Sequence, residues 1–322
     1  MAQLVDFCFI GHFAIDTIVR FKEERKPSLG GSVTFGSLSL KKYDKSTKIG
    51  IISNLGTLNF RRSLLKNIKH NSIDLRGVIP LDVANTNFLL EYSNHSRTLT
   101  LKTRSPDLKF KHIPKFYFSN PPQIIVLAPL CNEISYDYVS KILEAFPNAY
   151  IGIDLQGFMR NIDMSGRVSY FREDATISNI NRIISLIGDR LILKGSEIEM
   201  KMLSNEELPD KIMNSCNAFK NNAIYIMTMG EAGSIVMRCG EELIKIPAYK
   251  PKRVVDETGP GDVYLAIFLY ELINSDMSWK KIEEIAHLAS AAASFLVEEK
   301  GPNGFETKEK VLKRVRSKNY IV

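Results

Sequence analysis

Short apolar runs rich in β-branched residues recur along this chain, and between them lie stretches whose apolar residues repeat at helical spacing. Leu4–Ile10, Ile49–Ile52, Ile124–Leu127, Tyr150–Asp154, Arg190–Leu193 and Ala223–Met227 read as buried strands bounded by turn or polar residues. Ser32–Lys42, Arg61–His70, Tyr136–Ala145, Ile177–Ile187, Glu197–Leu203, Leu208–Lys220, Val263–Ile273 and Trp279–Val297 read as helices. Parallel strands need crossover connections that lay helices over the sheet, so this alternation predicts an α/β sandwich on a mostly parallel sheet. In such sheets ligands gather beyond the carboxyl ends of the strands, which is where Gly11, Asp154, Lys194 and Thr228 fall. Two segments break the alternation. Asp16–Phe21 is a short β-like run, and Thr86–Tyr92 with Arg97–Thr103 reads as a hairpin about Ser93-Asn94-His95-Ser96 whose alternation implies one wet face. They predict a small second sheet, acting as a lid or a dimer contact, or else a plain hairpin on one edge of the main sheet.

Composition narrows the class. The 322 residues carry 44% hydrophobic and 25% charged side chains, values of an ordinary soluble globular protein. The cysteines Cys8, Cys131, Cys216 and Cys239 are scattered and form no C-x-x-C pair, and the histidines are scattered too. That argues against a zinc site and a disulfide framework, and fits a reducing, cytoplasmic setting. Residues 1–12 are apolar but interrupted by Asp6, with no basic leader, and read as a first core strand rather than a signal peptide. No segment approaches the length of a spanning helix, so no membrane partner is expected. The net charge of +7 comes from Lys and Arg spread along the whole chain, without a basic block interleaved with aromatics. A solvated basic surface that attracts an anionic nucleotide is expected, and no nucleic acid.

The stretch Val255-Asp256-Glu257-Thr258-Gly259-Pro260-Gly261-Asp262-Val263-Tyr264 carries the densest chemistry. Turn glycines let backbone N–H groups converge into an anion-binding concavity, and a helix N-terminus adds partial positive charge there. A carboxylate beside such a nest can take a proton from a hydroxyl while the nest holds a phosphoryl group. The alternative is that Asp262 caps the helix and the glycines only make the turn. Pro260 offers no N–H, which removes one donor from the nest. Upstream, Leu29-Gly30-Gly31-Ser32 permits close backbone approach to a ligand, with Ser32 as a helix cap, or is a plain turn. Ile226-Met227-Thr228-Met229-Gly230-Glu231-Ala232-Gly233 is a strand end running into a Gly-rich turn that suits phosphate or a simple hairpin into Ser234–Met237.

Taken in order from Gly11 to Gly301, these segments resemble the ribokinase-like (PfkB) carbohydrate kinase family, whose C-terminal signature D-T-x-G-A-G-D stands here as D-E-T-G-P-G-D. The resemblance implies a three-layer α/β sandwich with a small β lid. The core would comprise residues 1–12, 36–84 and 108–322, and the lid 13–35 and 85–107. It implies transfer of the ATP γ-phosphoryl group to an alcohol, with Asp262 as general base and Gly259 and Gly261 in the anion hole. The donor would lie along Lys194, Ser196, Thr228, Gly230, Gly233 and Thr258, with Ser290 against the base. The acceptor would lie at Gly11, Asp16, Gly30, Gly31, Ser32, Gln156 and Arg160. The family's N-x-x-E motif maps to Ser196 and Glu199, with Ser in place of Asn; Glu199 would organise Mg²⁺ through water, or else be an exposed helix residue. Asp256, with Thr258 and backbone near Gly301, matches positions that hold a monovalent cation in some relatives.

G-H-F-A-I-D, L-G-G-S-V-T-F, I-D-L-Q-G-F-M-R and L-K-G-S-E-I-E are similar to the myo-inositol kinase-like branch. A small polyol acceptor is therefore expected, with a cytidine- or adenosine-type nucleoside kinase and a non-catalytic ligand-binding relative as alternatives. Homodimerisation through the lid is also expected, because exposed strand edges need cover.

Overall fold

The computed structural model describes residues 5–20, 23–24, 27–93 and 96–321. In chain order the strands are β1 (Phe7–Ile10), β2 (Ala14–Arg20), β3 (Glu23–Glu24), β4 (Ser28–Gly30), β5 (Ile49–Gly56), β6 (Asp74–Leu81), β7 (Asn87–Ser93) and β8 (Ser96–Thr103). They continue with β9 (Ile124–Leu127), β10 (Tyr150–Asp154), β11 (Asn161–Ile162), β12 (Val168–Ser169), β13 (Leu191–Ser196), β14 (Ile224–Thr228), β15 (Ser234–Arg238) and β16 (Ile244–Ile246). The main sheet runs β16-β15-β14-β13-β10-β9-β1-β5-β6. Its pairs are parallel from β14 through β6, while β15 and β16 add an antiparallel edge.

The strands β1, β5 and β9 are buried at every residue, which is why they read as continuous apolar runs rather than alternating ones. Successive residues still face opposite layers. Phe7, Phe9, Ile124 and Val126 pack with helices Ser32–Tyr43, Pro260–Ile273 and Trp279–Leu296 on one side. Cys8, Ile10, Ile125 and Leu127 pack with helices Tyr136–Ala145 and Asp174–Ile187 on the other. The strand β6 was not evident in the sequence, because its Arg76 and Pro80 suit only the sheet edge it occupies. Helix Lys308–Ser317 fully buries only Val311, with Leu312 and Val315 partly buried beside it, a narrow apolar stripe on a strongly charged helix.

The second sheet runs β3-β2-β7-β8, with β4 also on β2. It is mixed: β2 pairs parallel with β7, whereas β2–β4 and β7–β8 are antiparallel. Its inner face sets Ala14, Ile18, Phe88 and Leu90 over Leu130 and Cys131 of the core. Residues 32–35, placed in the lid from sequence, are instead the first turn of the core helix Ser32–Tyr43. Leu4, Phe21 and the hairpin tip Asn94-His95 lie outside the described residues. The ribbon β11–β12 reaches back to the lid, where Leu101 N–H donates to Gly166 O at 2.7 Å and Thr100 bridges Arg167.

Where the chain enters and leaves the lid, His12 is fully buried, its Nδ1 3.0 Å from Thr86 Oγ1 and its Nε2 3.0 Å from Pro106 O. His12, Cys131 and Glu133 cluster tightly, but the Glu133 carboxylate accepts the backbone N–H groups of His12, Leu130 and Cys131. Both ring nitrogens and the carboxylate are thus already engaged by protein groups, and the cluster fastens the second sheet to the core. Among the described residues no helix is long and apolar enough to cross a membrane.

Candidate active site

Two helices of the core begin at the same place. Helix Pro260–Ile273 starts at Gly259, whose φ of 86° puts it in the left-handed region, and no side chain caps it. Pro260 has no N–H and Val263 N–H returns to Gly259 O, so the amides of Gly261 and Asp262 are left facing outward. Asp262 is therefore the third residue of the helix, not its cap. Helix Ser32–Tyr43 starts at Gly31, with φ 90°, and is likewise uncapped by a side chain. Ser32 is not the cap expected of it; its buried hydroxyl is turned to the Asp262 carboxyl instead. Phe35, one turn on, lies where a Cβ at Gly259 would have to go, so the two helix starts interlock through that glycine.

A cavity of about 210 Å³ opens between these helix starts, the carboxyl ends of β10 and β13, and the underside of the lid. Asp16, Gly31, Ser32, Gln156, Arg160, Lys194, Ser196, Glu199, Thr228, Thr258, Gly259, Gly261 and Asp262 all line it, and Phe88, Leu90 and Leu99 roof it. A second cavity of about 500 Å³ is lined by Thr228, Gly230, Gly233, Tyr249, Val254, Ser290, Ala293 and Val297. Thr228, Glu257, Pro260 and Gly261 line both, so the Gly259–Asp262 turn is the wall between them.

Of the residues expected at the acceptor end, Gly11 and Gly30 do not line the cavity. Gly11 packs on the Ala128 carbonyl behind it, and Gly30 leaves room for the Asp16 carboxylate. Arg160 is buried: its guanidinium donates to Leu130 O at 2.8 Å and Tyr170 Oη at 3.2 Å, and lies over the Phe88 ring of the lid. Ser290 Oγ donates to Pro247 O at 3.0 Å while lining the larger cavity. Asp256 is buried, Oδ1 accepting from Thr258 N–H at 3.1 Å and Oδ2 from Gly301 N–H at 3.0 Å. It ties the signature loop to the segment after helix Trp279–Leu296, which brings together the three positions expected around a cation.

Glu199 is not an exposed helix residue. It is buried at 4% exposure and forms a capping box, with Ser196 N–H donating to its Oε2 at 2.7 Å and Ser196 Oγ accepting from its N–H. The serine that replaces the family's Asn is thus a helix cap. Asp154 and Glu257 were not singled out as site residues in the sequence. Asp154 closes β10, is 2% exposed and accepts from Lys194 Nζ at 2.9 Å. The signal available was its place at a strand's carboxyl end; what it pairs with was not.

Electrostatics separate the groups. Burial and the neighbouring Asp154 charge push the Asp262 carboxyl up to about 7, against the lowering pull of Lys194, Ser32 and Arg160. Burial alone would push Lys194 down, but the charges of Asp154, Glu199 and Asp262 outweigh it and hold the ammonium protonated. Burial also raises Glu199. Five carboxylates (Asp16, Asp154, Glu199, Glu257, Asp262) thus line the smaller cavity beside two cations, Lys194 and Arg160.

A raised carboxyl at the start of a glycine-led helix, between a small polar cavity and a larger apolar one, can serve phosphoryl transfer to a hydroxyl. Residues 45–309 match the pfkB family of carbohydrate kinases. The chain belongs to that family. Over 91 residues it is 35% identical to the nucleoside kinase of Methanocaldococcus jannaschii, a match spanning 28% of this chain and 28% of that protein. The structure of that nucleoside kinase, an archaeal member of the ribokinase family, superposes with a TM-score of 0.71 at 18% identity, covering 98% of this chain and all of the other. A pyrophosphate-dependent myo-inositol-1 kinase, converted to a myo-inositol-3 kinase by mutation, gives 0.70 at 17%, covering 97% and 98%. A fructokinase from Vibrio cholerae, bound to fructose, ADP and calcium, gives 0.75 at 14%, covering 97% and 99%. Membership of the pfkB family makes this chain a phosphotransferase that acts on a hydroxyl group.

Proposed function

We propose that this kinase transfers the γ-phosphoryl group of ATP to a hydroxyl of a cyclitol or sugar, with a myo-inositol-like acceptor favoured. The observation that supports this best is the division of the site into two cavities with a shared wall. The smaller is polar where Asp16 from the lid meets Gln156, Arg160 and Asp262 from the core, donors and acceptors suited to several hydroxyls of one compact ring. The larger has apolar walls at Tyr249, Val254, Ala293 and Val297. Those walls suit a nucleotide base and have no use for pyrophosphate, which supports a nucleoside triphosphate as donor.

In this reading the acceptor hydroxyl lies against Asp262, which takes its proton as the oxygen attacks phosphorus. The amides of Gly261 and Asp262 and the Lys194 ammonium meet the charge on the transferred phosphoryl group. The excess of carboxylates at the junction suits a divalent cation. Glu199 Oε1, left open by the capping box, and Glu257 would hold Mg²⁺ through water, and the ion would neutralise donor phosphate charge. The lone pairs of Asp256 not taken by Thr258 and Gly301 would hold a monovalent cation. Phe88, Leu90 and Leu99 of the lid exclude water from the acceptor cavity and limit wasteful hydrolysis of the donor.

The sequence likeness to a nucleoside kinase supports a second acceptor class, so one assay compares the two. ADP release from Mg²⁺·ATP would be measured with myo-inositol, ribose, fructose, fructose 6-phosphate, cytidine and adenosine, and with pyrophosphate as the alternative donor. Stimulation by myo-inositol, abolished in Asp262→Asn, is the expected result. Stimulation by nucleosides alone would replace the cyclitol reading, and turnover with pyrophosphate alone would overturn the donor reading.

A further inference from the structure

We propose that Asp154 is a positioning residue for phosphoryl transfer: it pins the Lys194 ammonium against the Gly259–Asp262 turn and keeps it off the general base. This rests on the reading of the site as a kinase centre with Asp262 as base. Asp154, the last residue of β10, and Lys194, two residues before the end of β13, sit opposite each other in the parallel register of those strands. The carboxylate is held at both oxygens, Oδ2 accepting from Lys194 Nζ at 2.9 Å and Oδ1 from Gln156 N–H at 3.1 Å. Its aim is thus set by backbone as well as by the lysine. The ammonium lies against the turn: a Cβ at Gly261 would come within 2.6 Å of Nζ. Glycine there gives the lysine its approach to the wall between the two cavities, where a phosphoryl group in transfer must pass.

Lysine is a point charge on a flexible stem, and three carboxylates compete for it. Asp154, Glu199 and Asp262 all act on Lys194 through their charge, yet among the described residues its ion pair is with Asp154. Without Asp154 the nearest relief for a buried ammonium is Asp262 or Glu199. A lysine paired with Asp262 would lower the basicity of the proton acceptor and leave the turn without its cation. The groups that face Asp262 are Asp154 from β10, Lys194 from β13, Arg160 beyond the short helix Gln156–Met159, and Ser32 from the helix Ser32–Tyr43. Asp154 and Lys194 act on it with opposite sign, so their variants move a pH profile in opposite directions.

The test is a double-mutant cycle on the full chain, with kcat and acceptor KM measured for wild type, Asp154→Asn, Lys194→Met and the double variant. Loss of a preorganised donor to a transition state costs about 10²–10³ in kcat, the drop expected for Lys194→Met. Asp154→Asn is expected to lower kcat by about 10–100-fold with acceptor KM little changed, and the double variant to be no worse than Lys194→Met. The acid limb of kcat/KM is expected to move to lower pH in Asp154→Asn and to higher pH in Lys194→Met. Each single variant leaves a buried charge unpaired and can lose its fold. Asp154→Glu keeps the pair but displaces the ammonium by a methylene, and is expected to lower kcat with KM held. Losses that multiply in the double variant, or an Asp154→Asn or Asp154→Glu protein within twofold of wild type, would overturn the proposal. Absence of acceptor-dependent turnover in wild type would instead overturn the kinase reading beneath it.

Discussion

Asp262, the proposed general base, sits where its own charge is resisted. Burial and the Asp154 carboxylate raise its pKa to about 7, so it is a stronger base than a solvated aspartate and is half-ionised near neutrality. The base must be ionised to accept a proton, so kcat/KM is expected to fall about tenfold per pH unit below about pH 7 and to level off above it. Asp262→Asn is expected to lose roughly two to four orders of magnitude in turnover while retaining donor binding. Its stability carries a second signature. A carboxyl whose folded pKa lies above its unfolded value of 3.8 stabilises the fold only while protonated, and that contribution is lost as pH rises through about 7. Asp262→Asn should therefore melt above wild type at pH 8, with the difference vanishing below about pH 4, as a calorimetric pH series would show. An equal melting temperature at pH 8 would contradict the burial of this charge. The sequence exposed Asp262 through its glycine-rich frame, yet left open whether it capped the helix. Only the backbone course decided that, by making Gly259 the cap.

At the scale of elements, the site is the meeting of two helix starts. Phe35 of the first occupies the space over Gly259 of the second, and Gly259 is also left-handed. Gly259→Ala is expected to cost roughly 1–3 kcal/mol and to lower kcat, since a Cβ strains the turn and pushes the helices apart. Thermal melting and steady-state rates check both effects. The capping box yields a separable pair of outcomes. Ser196→Ala should lower stability by about 1 kcal/mol with the Mg²⁺ requirement unchanged. Glu199→Gln, which still closes the box, should keep stability and raise the Mg²⁺ concentration needed for half-maximal rate. If both variants alter only stability, Glu199 is a structural residue. The box was written in the sequence as Ser196-Glu197-Ile198-Glu199, but burial of its glutamate depends on β13 and β14 reaching the sheet interior, which no local spacing reports.

For the whole molecule, the lid and the core share one cavity, and the junction between them is buried polar chemistry around His12, Thr86 and Asn85. Phe88, on the inner face of the lid, is buried with its ring against the Arg160 guanidinium. Phe88→Ala is expected to raise acceptor KM and the ratio of donor hydrolysis to transfer, read by comparing ADP formed with phosphorylated acceptor formed. Unchanged values for both would make the lid a structural sheet. The α/β class, the order of the motifs and the glycine turns were determined by the sequence alone, because each follows from local steric preference or from the period of burial along one segment. The edge strand β6, the pairing of Asp154 with Lys194 and the common wall of the two cavities were decided only by tertiary structure. They depend on which segments become neighbours across the sheet, and the energy of a buried charge is set by those neighbours rather than by its own place in the chain.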